Sequence, residues 1–76
     1  MKEKIYDEIR RLKLASTHVW CFQQYNIFRA NLNPIERNNF FPCMEELCST
    51  GIFVAEQDGS VKTYRLTETG EKEIYI

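Results

Sequence analysis

The sequence has few of the residues that build disulfide frameworks or phosphate-binding loops. Its 76 residues include three cysteines and three glycines. An odd number of cysteines fits a reducing cytosol better than a disulfide framework, so we expect a cytoplasmic protein. The glycines, Gly51, Gly59 and Gly70, stand too far apart to form a glycine-rich phosphate loop.

Long apolar runs and a strong charge of either sign are also missing. No run approaches the roughly 20 apolar residues that a membrane helix needs, and the N-terminus has no apolar stretch for a secretory signal. The formal net charge is -1, from 10 basic and 11 acidic residues. We therefore expect no membrane partner, and the composition gives no general attraction to nucleic acid.

The metal-ligating and nucleophilic residues are few and scattered. A zinc site would have to combine four residues, His18, Cys21, Cys43 and Cys48. Their spacing lacks the paired C-x2-C framework of structural zinc sites. A nucleophile would need His18 beside Cys43 or Ser49 and a pocket, which so small a domain rarely supplies. The sequence therefore predicts no metal, no cofactor and no enzymatic activity.

Apolar side chains, by contrast, are abundant for so short a chain, at 43% of all residues, and aromatic residues make up 13%. We expect residues 1–76 to form a single domain that buries only about 60–65% of its unfolded surface. Part of the aromatic surface is then available to a second copy of the chain or to another protein. The candidate interface residues are Trp20, Phe22, Phe28, Ile74 and Tyr75.

The apolar end of the chain, residues 74–76, is expected to dock on the first helix through Ile5 and Ile9, either within the chain or in a dimer. That first helix is predicted at residues 2–14, where apolar residues recur with helical spacing. Its charged face suggests pairs such as Asp7 with Arg11, four residues apart.

Two further helices are predicted at residues 18–29 and 34–48. Ser16 or Thr17 is the candidate cap of the second helix, although residues 19–22 also fit a short strand. The third helix has a strong start, because Asn33 caps it, Pro34 fills its first position and Glu36 can complete a capping box. Pro42 is expected to bend or split this helix, since its ring clashes with the preceding turn.

Residues 45–70 predict a β-hairpin between two helices. Gly51 can end the preceding helix in the left-handed conformation, and residues 52–55 are of strand type. The dipeptide Asp58-Gly59 favours a type I′ turn, in which both central residues have positive φ. The return strand is expected at residues 60–66.

The alternation of this return strand places Tyr64 and Leu66 on the core side. Thr67 can then cap a short C-terminal helix, with Glu68 in the favourable first turn.

This order of elements resembles the second half of a winged-helix domain, as in PadR-like and MarR-like transcription regulators. The resemblance covers about a third of the chain. It implies a small α+β winged-helix fold with three helices, a two-stranded wing and a short C-terminal helix. It also implies a dimeric, DNA-binding transcription regulator whose third helix reads duplex DNA. The matching residues are Leu47, Gly51, Ile52, Asp58-Gly59, Tyr64-Arg65-Leu66-Thr67 and Gly70.

For DNA binding, the start of the third helix offers Arg37, Asn38 and Asn39, which suit guanine and adenine edges in the major groove. Lys62 and Arg65 on the hairpin are candidates for phosphate contacts. However, residues 31–60 contain one basic residue against five acidic ones, which weakens attraction to phosphate. A protein–protein interaction module of the same fold, without DNA binding, is therefore the alternative.

Overall fold

The computed structural model describes residues 1–76 except for the side chain of Asp58. Over this described part, the chain forms four helices and three strands, which confirms the α+β class. The bounds are α1 Lys2–Leu12, β1 Val19–Trp20, α2 Phe22–Ala30, α3 Pro34–Ser49, β2 Phe53–Asp58, β3 Val61–Leu66 and α4 Glu68–Ile74.

The three strands form one antiparallel sheet in the order β1-β3-β2. The hairpin is confirmed, with β2 paired to β3 from Phe53 opposite Leu66 to Asp58 opposite Val61. On the other side of β3, Val19 lies opposite Arg65. The predicted helix start at residue 18 is therefore wrong, because the chain there pairs with β3 before it turns into α2.

The caps proposed for the second helix are also wrong. Thr17 has a φ of 72° and lies before β1, where its backbone N–H donates to Leu66 O at 2.8 Å. Cys21 is the N-cap instead, and the side chain of Gln24 accepts a hydrogen bond from its backbone N–H at 3.3 Å. The N-cap is the residue before the first helical residue. Because residues 19–20 pair with β3, α2 begins only at Phe22 and its cap is Cys21.

The hairpin turn differs from the prediction by one residue. Since Asp58 pairs with Val61, the loop residues are Gly59 and Ser60. Gly59 has a φ of 63°, whereas Ser60 is not among the positive-φ residues. Positive φ at only the first loop residue is typical of a type II′ turn rather than the predicted type I′. The side chain of Asp58, which the prediction also used, lies outside the described residues.

The third helix is capped as predicted and is not split at Pro42. Glu36 N–H donates to Asn33 Oδ1 at 2.9 Å, and Asn33 N–H donates to Glu36 Oε1 at 3.4 Å. Pro42 lies on the exposed side of α3. Because Pro42 has no N–H, the carbonyl of Asn38 lacks its usual helical partner, and on this exposed side water can solvate it. The hydrogen bonds on the buried side of α3 are unaffected, so the helix continues through Pro42.

The core is built around Trp20, which is fully buried. Its ring centroid lies 5.9 Å from that of Tyr25, 5.9 Å from that of Phe40 and 6.3 Å from that of Phe53. These rings come from β1, α2, α3 and β2, so one side chain joins most of the fold. Tyr64 and Leu66 also face this core, as the strand alternation predicts.

A polar junction joins the end of α3 to the start of α4. Thr67 Oγ1 donates to Gly51 O at 2.5 Å and accepts from Gly70 N–H at 2.9 Å, which confirms the predicted cap. Thr67 N–H also donates to Ile52 O at 3.1 Å. Gly51 has a φ of 83°, a conformation that favours glycine. Residues far apart in the sequence therefore form one hydrogen-bonded joint.

The C-terminal residues pack on α1 of the same chain. Tyr75 Oη donates to Leu14 O at 2.5 Å, and Arg10 Nε donates to Ile74 O at 2.7 Å. Arg10 also pairs with Asp7, and the predicted pair of Asp7 with Arg11 is replaced by one of Arg11 with Glu8. Both pairs join residues three apart on α1.

Alkaline pH should destabilise the fold through Tyr64. Burial raises the pKa of this phenol from 10.0 to about 12. The contribution of Tyr64 to the free energy of unfolding is therefore fully present below about pH 10 and is lost as the pH rises through about 12. The reason is that the Tyr64 phenol ionises at lower pH in the unfolded chain than in the folded one. Urea unfolding at a series of pH values should show this fall in the wild type and a shallower one in Tyr64→Phe. Some fall remains, since burial also raises the pKa of Tyr6 and Tyr25. An equally steep fall of stability with pH in Tyr64→Phe would contradict the role of Tyr64.

Candidate nucleic-acid interface

The helix α3 has one buried side and one exposed side. Residues 31–33 connect α2 directly to α3, so the two helices follow one another after a short turn. Phe40, Met44 and Leu47 bury one side of α3 in the core. The opposite side is exposed and is mixed polar, apolar and acidic. We call it the α3 surface, formed by Ile35, Asn38, Phe41, Pro42 and Glu45.

Arg37, the basic residue predicted to contact DNA, instead stabilises the turn before α3. Its Nη2 donates to Leu32 O at 3.0 Å and to Ala30 O at 3.3 Å. These carbonyls come from the end of α2 and from the connection, where no further helical N–H is available to them. The guanidinium is therefore engaged within the fold and is not presented to a ligand.

Arg65, the second predicted arginine, is engaged in the same way. Its Nε lies 3.1 Å from Glu56 Oε2 and its Nη2 lies 3.1 Å from Glu56 Oε1, a two-point ion pair across the hairpin. Its Nη1 donates to Thr17 O at 2.6 Å. The pair neutralises the positive charge that a phosphate contact would require.

Three of the predicted DNA-binding residues remain accessible. Asn38 and Asn39 lie on exposed positions in the first turns of α3, and Lys62 is exposed on β3. The backbone carbonyl of Lys62 accepts a hydrogen bond from Tyr25 Oη at 2.7 Å. This bond attaches the hairpin to α2, so the hairpin and the helix pair are held together.

Arg29 was missed by the sequence reasoning. Its guanidinium carbon lies 4.9 Å from the ring centroid of Phe41, which places a cation against the α3 surface. The ring of Tyr25, one turn earlier on α2, lies 6.2 Å from that of Phe41. An available signal was the spacing of Tyr25 and Arg29, four residues apart on one helix face.

The predicted interface residues divide into buried and exposed. Trp20 and Ile74 are fully buried, so they offer no surface to a partner, and the prediction is wrong for these two. Phe28 is half-buried against the core. Phe22 and Tyr75 are 40% and 44% exposed. The aromatic surplus of the sequence is thus used mainly inside the domain.

Acidic groups accompany the α3 surface. Glu36 forms an ion pair with Lys4, and the hydrogen bond from Lys4 lowers the pKa of the Glu36 carboxyl. Glu45 and Glu46 are exposed on the second half of α3. The first half of α3 carries one carboxylate, that of Glu36, which Lys4 neutralises, whereas the second half exposes two.

The cysteines are half-buried thiols. Burial raises the pKa of Cys43 and of Cys48, which makes their reactive thiolate forms scarce at neutral pH. Among the residues that the structure describes, no group of three or more His, Cys, Asp or Glu side chains is arranged to hold a metal ion. Within the same part of the chain, no helix is long and apolar enough to cross a membrane.

Comparisons with protein-family models, with curated proteins and with solved structures found no match to this chain.

Proposed function

We propose that this chain is a winged-helix domain that binds duplex DNA and regulates transcription. In this proposal α3 lies in the major groove and the β2–β3 hairpin acts as the wing. Support comes from the helix pair α2–α3, from its short connection, and from the hairpin that Tyr25 attaches to α2. A second helix that follows a short turn is the reading helix of helix–turn–helix proteins.

The observation that carries the proposal is the exposure of Asn38 and Asn39 in the first half of α3. In helix–turn–helix proteins the N-terminal residues of the reading helix contact base edges. An asparagine side chain can form two hydrogen bonds with the N6 and N7 edge of adenine. We therefore assign base contacts to these two residues, and a phosphate contact to Lys62 on the wing.

The distribution of charged residues limits the number of phosphate contacts that the protein can make with DNA. With Arg37 and Arg65 engaged internally, few cations remain to displace counterions from DNA. About three phosphate contacts would give a slope of about -2.7 in a plot of log K against log salt concentration. We therefore expect binding that depends on sequence more than on salt.

Alanine at Asn38 should reduce DNA affinity by about 5- to 150-fold, because one good base contact contributes about 1–3 kcal/mol. A duplex is first selected from a randomised pool and labelled for fluorescence anisotropy. Asn38→Ala should also bind sequences changed at one position of the duplex as well as it binds the original, since the lost contact reads one base pair.

Asn31→Ala is the matched control, because Asn31 is exposed but its side chain donates to Ile27 O on α2, at 3.0 Å. It should bind the selected duplex like the wild type. Arg37→Ala is different, since it should lower the melting temperature by freeing the α2–α3 turn. Recovery of no preferred sequence from the pool, and no salt-dependent binding, would refute the DNA proposal.

A protein-interaction module is the second candidate. It is favoured by Ile35, which is 75% exposed on α3, and by exposed Phe41 beside Glu45. An apolar and acidic helix surface suits a basic protein partner more than a polyanion. Dimerisation remains a separate prediction, tested by the sedimentation mass across protein concentration. Absence of DNA binding in the wild type, with binding to a basic protein that Ile35→Lys abolishes, would favour this candidate.

A further inference from the structure

We propose that Arg29 is a phosphate-binding residue at the edge of the α3 surface. This inference rests on the proposed function and adds to it a contact from α2. The geometry is the placement of the Arg29 guanidinium carbon 4.9 Å from the ring centroid of Phe41, a residue of the α3 surface.

Arg29 differs from the other arginines because, among the described residues, it has neither an ion pair nor a side-chain hydrogen bond to a carbonyl. The ion pairs of the described side chains involve Lys4, Arg10, Arg11 and Arg65, and none involves Arg29. Arg37, which also lacks an ion pair, is instead bonded to the carbonyls of the α2–α3 turn. Arg29 is therefore the arginine whose charge the described part of the fold leaves uncompensated.

The environment of Arg29 also restricts how its side chain can point. Its Nε is buried and has no hydrogen-bond partner among the described residues. Contact with the Phe41 ring restricts the motion of the guanidinium, which lowers the entropy lost when it binds a ligand. A planar fork of N–H donors fits two phosphate oxygens at once. A held and unpaired arginine at the surface is thus suited to a phosphate group.

Duplex DNA is the source of phosphate that the geometry favours. Phe41 lies three residues from Asn38, so the guanidinium and the amide occupy neighbouring positions on the helix surface. When Asn38 contacts a base edge, a group beside it lies near the backbone that flanks the groove. Arg29 would then fix the register of α3 without reading sequence.

The test compares Arg29→Gln with Lys72→Gln, which removes the same charge from an exposed position on α4. Arg29→Gln should reduce affinity for the selected duplex by about tenfold and make the salt slope shallower by about 0.9. Sequence preference should stay unchanged, and Arg29→Lys should restore the slope. Lys72→Gln should leave both quantities unchanged. An unchanged slope in Arg29→Gln, with wild-type DNA binding intact, would overturn the role of Arg29 alone.

A second measurement separates this inference from DNA binding itself. The NMR resonance of Arg29 Nε–H is followed while inorganic phosphate, or acetate at the same ionic strength, is added to the wild-type protein. A saturable shift with phosphate and a weaker one with acetate would support the site even if no duplex binds. Equal responses to the two anions, or none, would overturn it whatever the DNA result.

Discussion

Replacing Gly70 with alanine should destabilise the protein by about 2 kcal/mol or more, although alanine is the better helix former. A Cβ atom at this position would lie far inside contact distance of the backbone carbonyl oxygen of Ile52, and 2.8 Å from Leu66 Cδ1. A backbone atom cannot move aside as a flexible side chain can. Overpacking usually costs about 1–3 kcal/mol, and so close a contact with backbone lies at the upper end of this range or above it, against a gain in helix propensity of about 1 kcal/mol. The cost of the clash therefore exceeds the gain in helix propensity, and Gly70→Ala should lower the free energy of unfolding.

The clash should also weaken the hydrogen-bonded joint between the end of α3 and the start of α4. Urea unfolding would measure the loss, and the melting temperature should fall by about 4–8 °C for each kcal/mol. Thr69→Ala is the matched control, since Thr69 is an exposed neighbour in the same helix and should change stability by about 0.5 kcal/mol or less. A Gly70→Ala protein at least as stable as the wild type would show that α4 is not packed on Ile52.

Truncation of Trp20 to alanine should cost about 3–5 kcal/mol. A chain of this length has a total stability of roughly 4–11 kcal/mol, so the variant should lose a large fraction of its stability and, at the lower end of this range, unfold. The reason is that Trp20 is fully buried and contacts rings from α2, α3 and β2. Circular dichroism and urea unfolding would measure the loss.

Trp20→Phe should cost much less than Trp20→Ala. Phenylalanine keeps most of the aromatic packing, and it removes an indole N–H that is buried without a hydrogen-bond partner among the described residues. An unpartnered buried donor costs about 1–3 kcal/mol, which offsets part of the lost volume. Phe22→Ala, at a 40%-exposed position, should cost only about 1 kcal/mol. Equal losses in Trp20→Phe and Trp20→Ala would contradict this account of the core.

The residues behind the winged-helix resemblance have a structural role in this chain. Gly51, Ile52, Thr67 and Gly70 meet in the joint between α3 and α4, and Tyr64 and Leu66 lie in the core. They therefore bear on how the chain folds, and the DNA proposal depends on other residues, chiefly Asn38 and Asn39. This separation explains why a fold can be argued from the motif more firmly than a ligand.

Local chemistry in the sequence determined the capped start of α3, the glycine at its end, the hairpin and the core-facing side of β3. Each of these depends on neighbouring residues, whose caps, φ preferences and alternation can be identified without a partner. The tertiary structure alone decided that Val19 and Trp20 form a strand, because their partner β3 lies far along the chain. It also decided that Arg37 and Arg65 are engaged within the fold while Arg29 is left unpaired, since charges find their partners only when distant segments pack together.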